Sequence, residues 1–431
     1  MRHRPRPTIA ALALVVAGML SGCGGAAPAG PPVLTWYINP DSGGQKEIAA
    51  RCTAAAGGRY TIVTTLLPRS ASEQRQQLVR RLAANDSSID LMSLDPPYIP
   101  ELAEAGFLAP IPPDMAARVS KDVVRSALEG ASWREKLVTV PFWANTQLLW
   151  YRKSVAQAAG LDMNKPVTWD QLIAAAQARN TQFAVQGRRD ESLTVWINAL
   201  VASAGGQVIT NPNVRNPKEV KLGLASPEAV RGTAVMRAVA DAKVGGPALS
   251  TSGEDENVAS FEAGRAGFMV NWPFVWTKAQ SGVKGGTLKA EVPADYGWTL
   301  YPRVTADRPS APPYGGINIG ISAFSRNVPA ALSASECVTS AQNQAYYFAT
   351  NGNPAANSKA FDDPAVRQAF PMAPLIRQSL QQAEPRPQTP YYSEVSEGLQ
   401  RVYHPPGAVD PQTGQRANDL ITAVLAKKKL L

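Results

Sequence analysis

The stretch VLTWYINPDSGGQKEIAARCTAAAGGRYTIVTTLLPRSASEQRQQLVRRLAANDSSIDLMSLD, residues 33–95, alternates three β-rich runs with two polar helical segments. Val33–Ile38 is rich in β-branched and aromatic residues and is followed by a turn-forming run, Asn39-Pro40-Asp41-Ser42-Gly43-Gly44. A helix over 45–56 then ends where Gly57 and Gly58 can adopt the conformations that close a helix. Residues 60–67 form the next strand. Ser72 is placed to cap a helix running to Leu82, with Arg75, Arg80 and Arg81 on its outer face. Residues 89–94 make a third strand ending at Asp95. Strand, polar loop and helix repeated in this order predict an α/β fold with a mostly parallel sheet flanked by helices.

Downstream, the alternation continues. Residues 147–151 are strand-like, 154–159 make a short helix closed by Gly160, and Thr168 with Gln171 forms a capping box for a helix through Ala178. Residues 193–204 read as a helix with Val195, Ala199 and Ala202 on one side and Trp196 on a neighbouring face. Strands are expected at 268–271, 298–301 and 317–322, and mainly helix with proline breaks from Ala330 onward.

Upstream, Arg2, Arg4 and Arg6 precede an apolar run from Ile9 to Leu20 that ends in Leu20-Ser21-Gly22-Cys23. The run is short for a span of about 20 residues, and small residues before a cysteine suit lipid attachment to Cys23 and cleavage before it. The reading is a signal peptide, 1–22, and a lipidated Cys23 with a Gly/Ala/Pro tether, 24–32. The body then sits on the outer face of the cytoplasmic membrane. Cleavage would remove three arginines from a chain of formal charge +9. The remaining basic charge is diffuse apart from Lys427-Lys428-Lys429, so nucleic acid is not expected as a partner. A chain of 431 residues is long for one core and argues for two lobes. Beyond Cys23, only Cys52 and Cys337 remain, and an oxidising compartment makes them a disulfide candidate.

Most catalytic signatures fail on composition. The two histidines are His3, inside the signal, and His404, which removes His-based triads and multi-His zinc sites. No P-loop, nucleophile elbow or dinucleotide fingerprint occurs, and no cofactor or metal is implied. Carboxylate pairs stay possible among Asp41, Asp95, Glu191 and Glu254. Polar residues also recur beside tryptophans: Asn145 near Trp143, Asn198 near Trp196, and Asn271 next to Trp272. Sugars need this mixture, because their C–H faces pack on aromatic rings while Asp, Asn, Glu and Arg bind hydroxyls. In open α/β sheets such groups converge at the carboxyl ends of strands.

The segments Pro68-Arg69-Ser70, NTQLLWY at 145–151, FEAGRA at 261–266, Val270-Asn271-Trp272-Pro273 and Tyr314-Gly315-Gly316 resemble the extracytoplasmic substrate-binding proteins of ABC sugar importers. Within that family, LPRSASEQRQQLVRRL, NTQLLWYR, VNWPFV and PLIRQSL resemble the mycobacterial trehalose-binding lipoproteins. The resemblance implies a type II periplasmic-binding-protein fold, two α/β lobes joined by crossing strands near 141–145 and 315–318, with the ligand between them. Residues 33–142 with 318–355 would form the first lobe, and 143–317 with 356–431 the second. Cys52 and Cys337 would then staple one lobe. Asp41 and Asp95 would face the cleft from the first lobe and Asn145 from the crossing. Glu254, Trp272 and Arg377 would come from the second lobe, with Trp272 as the stacking platform. Gly315 and Gly316 would admit the ligand close to the backbone, and Glu191, Trp196 and Asn198 form a second tier. The implied protein is a monomeric, non-enzymatic receptor that delivers trehalose or a close α-linked disaccharide to a membrane permease. The alternatives are a receptor for malto-oligosaccharide or a glycerophosphodiester, a carboxylate-based glycoside hydrolase, and an envelope adhesin.

Overall fold

The computed structural model describes residues 30–431, so the signal peptide, Cys23 and the tether up to residue 29 lie outside the described residues. The opening stretch builds what was expected of it. Strands β1 (Val33–Ile38), β2 (Thr61–Leu66) and β3 (Leu91–Leu94) are parallel, with β1 central: Val33 pairs with Thr61 and Trp36 with Leu91. Helices Gly44–Ala55 and Ala71–Ala83 connect them. After a small hairpin of β4 (Ser132–Trp133) and β5 (Lys136–Leu137), strand β6 (Val140–Thr146) leads through Gln147 into β7 (Leu148–Arg152). That passage carries the chain from one sheet into another.

The second sheet orders its strands β10-β7-β9-β8, with β8 at Gln182–Ala184, β9 at Ala266–Asn271 and β10 at Tyr296–Thr299. The chain returns along β11 (Pro313–Ile321), which runs antiparallel to both β6 and β3, and β12 (Glu384–Pro385) pairs in parallel with the start of β11. The mostly parallel sheet expected from the sequence is therefore corrected: both sheets are mixed. The reason is topological, because β11 retraces the path of β6 and must oppose it, while in the second sheet only the β8–β9 pair is parallel. Arg386 follows β12 and precedes helix Tyr392–Tyr403.

The first sheet is covered by a core of Trp36, Ile48, Phe142, Ile319, Val338 and Tyr347, in which Phe142 stacks on Tyr347 with centroids 5.2 Å apart. The second sheet is buried on both faces. One face carries Trp169, Phe183, Trp196, Phe268 and the C-terminal helices Tyr392–Tyr403 and Thr413–Leu425; the other carries Trp150, Phe261, Tyr296, Phe348 and Phe370. This is why its strands read as nearly continuous apolar runs. The capping box of Thr168 with Gln171 is formed as expected. Cys52, on helix Gly44–Ala55, and Cys337, on helix Val328–Val338, are bonded with Cα atoms 5.8 Å apart, both against the first core. Among the described residues no helix is long and apolar enough to cross a membrane.

Candidate ligand-binding cleft

A cavity of about 540 Å³ opens where the two sheets meet. The first lobe contributes Asn39 and Pro40 after β1, Arg69 to Ala71 and Gln74 at the start of helix Ala71–Ala83, and Asp95 after β3. These are the carboxyl ends of parallel strands, where the connecting loops leave backbone and side chains free to converge. The second lobe contributes Arg188, Asp190 and Glu191 at the start of helix Glu191–Ser203, Glu254 and Asp255 at the start of helix Glu254–Glu262, and Trp272 after β9. Trp143 and Asn145 of β6, Gly315 to Ile317 of β11, and Arg386 after β12 form the floor between the lobes.

Trp272 is held from three sides. Its Nε1–H donates to Glu254 Oε1 at 2.8 Å, and its backbone N–H donates to Asn271 Oδ1 at 2.9 Å. A Cβ added to Gly315 would lie 3.0 Å from the indole, so the glycine makes room for the ring. Gly316 takes φ +128, and a Cβ there would lie 2.2 Å from the Trp143 carbonyl oxygen. Both glycines line the cleft as expected, but the close approach they permit is to the two tryptophans. Burial pushes the Glu254 carboxyl above its ordinary range; the bond from Trp272 opposes this, and the neighbouring charges of Asp190 and Asp255 add to it.

Asp95 and Glu191 are joined across the lobes by one guanidinium. Arg386 Nη2 donates to Asp95 Oδ1 and Nη1 donates to Glu191 Oε1, each at 2.6 Å. The Arg386 side chain is 4% exposed, and Asp95 and Glu191 are 14% exposed. Desolvation raises the Asp95 carboxyl against the pull of Arg386, with Glu191 raising it further. Glu191 also accepts from Ser396 Oγ at 2.7 Å and from the Tyr392 hydroxyl, and Tyr98 reaches it at 3.4 Å.

The cleft thus brings together Asp95, Asn145, Glu191, Glu254, Trp272, Gly315 and Gly316 of the residues expected there. Four others are placed elsewhere. Asp41 accepts from the backbone N–H groups of Gly43 and Gln45 at 2.9 and 2.8 Å and from the Tyr347 hydroxyl at 3.1 Å, so it caps the first helix. Arg377 donates to the Ser358 carbonyl and to Asp362 at 3.3 Å and lies over the Phe361 ring, outside the cleft. Trp196 is fully buried beside Trp169, and Asn198 donates to the Pro385 carbonyl at 3.3 Å. Arg386 was missed because it stands in a proline-rich linker with no aromatic neighbour in sequence. Asn39, Arg69, Gln74, Arg188 and Asp190 were missed as loop or helix-start residues whose composition resembles ordinary capping. A signal for Asp190 existed: Asp190-Glu191-Ser192 opens an apolar helical run, and Asp190 Oδ1 accepts from Ser192 N–H at 3.0 Å.

The model of the bacterial extracellular solute-binding protein family matches residues 57–345, well over half of the chain. The chain belongs to this family. It is accordingly a binding protein and not an enzyme. A probable ABC transporter-binding protein of Deinococcus radiodurans is 25% identical to this family member over 356 residues, 79% of this chain and 80% of that one. A mannitol-binding protein of Pseudomonas aeruginosa is 26% identical over 379 residues, 83% and 81% of the two chains. Among solved structures, maltose-bound MalE3 of T. maritima superposes with a TM-score of 0.78 at 24% identity, covering 92% of this chain and 99% of that one. That likeness confirms the two-lobe periplasmic-binding-protein architecture.

Proposed function

We propose that this solute-binding protein captures a neutral disaccharide, trehalose or a close α-linked analogue, in the cleft between its lobes and delivers it to an ABC permease. It would do so while held to the outer face of the cytoplasmic membrane by a lipid on Cys23. The observation that carries the sugar reading is the Trp272 indole fixed at the edge of a cavity that also presents Asp95, Asn145 and Glu254. An aromatic face for the C–H surface of a pyranose and directional acceptors for its hydroxyls are the two halves of sugar recognition. Asn145 Oδ1 accepts from Thr146 N–H at 3.1 Å, which points to its amide nitrogen as the group available for a hydroxyl.

Charge supports a neutral ligand. The lining holds five carboxylates, Asp95, Asp190, Glu191, Glu254 and Asp255, against three guanidinium groups, Arg69, Arg188 and Arg386. Arg386 is matched by Asp95 and Glu191, and Arg188 by Asp190 and Glu256. A phosphodiester would enter an excess of negative charge, so the glycerophosphodiester alternative is disfavoured in spite of the basic net charge of the whole chain. The choice of trehalose rests on the local resemblance of residues 67–82, 145–152, 270–275 and 374–380 to trehalose-binding lipoproteins; a maltose-bound fold neighbour and a mannitol-binding relative make maltose and mannitol the competing ligands to test. Calorimetric titration with trehalose, maltose, mannitol and glycerophosphocholine tests the reading. Saturable heat with trehalose and none with glycerophosphocholine supports it, and the reverse order rejects it.

A further inference from the structure

Two loops of the second lobe meet beside the cleft. One runs from β8 to helix Glu191–Ser203 and carries Arg188; the other ends at Gly253, the residue before helix Glu254–Glu262. They are joined along the backbone, since the N–H groups of Gly187 and Arg188 both donate to the Ser252 carbonyl, at 3.0 and 3.1 Å. The Arg188 guanidinium then ties the two helix starts together: its Nε donates to Asp190 Oδ2 at 2.5 Å and its Nη1 to the two Glu256 oxygens at 3.1 Å each. Both acids also serve their own helices. Asp190 Oδ1 accepts from the N–H of Ser192, and Glu256 Oε2 accepts from the N–H of Gly253 at 2.9 Å. Gly253 is fitted to the guanidinium as well. Its extended backbone is open to any residue, but the three nearest atoms that a Cβ would meet all belong to the Arg188 guanidinium, the first at 2.5 Å.

What this clamp holds is the binding surface. Glu191 and Glu254 are the first residues of the two helices, and both line the cleft, whereas Glu256 stands outside the lining. Glu254 in turn accepts from the Trp272 Nε1–H, so the guanidinium packs one residue along the chain from the carboxylate that fixes the indole. With Arg188 43% exposed and Glu256 50%, solvent screens the ion pairs, and their contribution to the stability of the fold is small. The planar fork instead fixes direction, because its nitrogens reach carboxylates at two different helix starts at once. The charges around Glu254 act in the same sense. Burial raises its carboxyl, the bond from Trp272 lowers it, Asp190 and Asp255 raise it, and Arg188 lowers it.

We propose that Arg188 is a positioning residue for ligand capture: by pinning the starts of helices Glu191–Ser203 and Glu254–Glu262 to each other, it sets the Glu254 carboxylate and, through it, the Trp272 ring. The proposal rests on the reading of Trp272 as the surface a sugar ring packs on. The experiment follows the Trp272 indole N–H resonance, assigned with Trp272→Phe, in ligand-free protein across pH, and titrates the same proteins with trehalose and maltose by calorimetry. Arg188→Met is expected to move the resonance, to raise the pH at which it titrates with Glu254, and to weaken binding about tenfold. Glu256→Gln keeps an oxygen for the Gly253 N–H but loses the charge facing Arg188, and is expected to move the resonance in the same direction and weaken binding about threefold. Arg188→Lys keeps the charge without the fork, so it is expected to restore the titration but less than half of the lost binding free energy. Affinity in Arg188→Met within about twofold of the wild type, or full recovery in Arg188→Lys, overturns the clamp. A loss in Arg188→Met with the ligand-free resonance and Glu256→Gln both unchanged makes Arg188 a direct ligand contact and also overturns it. A wild type that binds neither sugar overturns the sugar reading, and the ligand-free resonance then decides by itself whether Arg188 positions the indole: a shift in Arg188→Met upholds the clamp, and no shift overturns it.

Discussion

Replacing Arg386 with Met would leave Asp95 and Glu191 facing each other across the lobes with no counter-charge. The guanidinium is 4% exposed and makes two bonds of 2.6 Å, so nothing from solvent takes its place. Each charge-assisted bond lost is worth about 1.5–3 kcal/mol, and breaking a buried pair by removing one partner costs about 3–5 kcal/mol. Glu191 keeps the bonds from Ser396 and Tyr392, so the expected loss is about 3 kcal/mol at pH 7, the lower end of that range. The sign of the pH dependence follows from Asp95, whose carboxyl is already raised by burial and is held down by Arg386. Without Arg386 it rises further above its unfolded value near 3.9. An acid with a raised folded pKa destabilises the fold as pH climbs above the unfolded value, so the deficit is full at pH 7 and shrinks toward pH 4.5. The assay is urea denaturation of both proteins at the two pH values. A deficit below about 1 kcal/mol at pH 7, or an equal deficit at both, would refute the bridge as described.

Trp272→Ala should weaken sugar binding by more than about 1 kcal/mol in a protein that retains wild-type circular dichroism, and Trp272→Phe should recover part of it by keeping the stacking face; unchanged affinity in Trp272→Ala removes the platform. Gly316→Ala must force a Cβ against the Trp143 carbonyl at φ +128, so it should cost at least about 1–3 kcal/mol of stability in denaturation. Removing the disulfide by Cys52→Ser together with Cys337→Ser should lower stability by about 2–4 kcal/mol. Because both cysteines pack on one lobe, sugar affinity in that variant should stay within about twofold, measured by calorimetry. If the Glu254 carboxylate must be ionised to accept a sugar hydroxyl, affinity should fall as pH drops through its raised pKa, and Glu254→Gln should flatten that profile.

The fold was legible because local signals agreed over the first 60 residues of the body. Val33–Ile38 reads as a strand from composition alone, and Gly57 and Gly58, both at positive φ, end the helix where glycine was needed. The mixed sheet was not legible, since the direction of β11 is set by its pairing with β6, far away in the sequence, as Tyr314 with Thr146 and Ile319 with Val140. The same divide runs through the site. Asp95, Asn145, Glu254 and Trp272 carry local marks, each standing at the end of a strand or the start of a helix. Asp41 carries the same mark and turns out to be a cap, because an aspartate three residues before the helix start at Gly44 can accept from the backbone N–H groups of Gly43 and Gln45. Arg377 has the right length and charge for a closing donor, but its helix faces Asp362 and Phe361. Arg386 acquires its role only when β12 pairs with β11 and sets it between two lobes, a placement no local pattern encodes.

The central claim, a neutral sugar held between two lobes on Trp272, is tested most directly by a crystal structure of the protein with trehalose. The account predicts a pyranose ring stacked on the Trp272 indole, with ligand hydroxyls bonded to Asp95, Asn145 and Glu254. Trehalose bound away from Trp272, or a cleft that stays empty at saturating sugar, would contradict it.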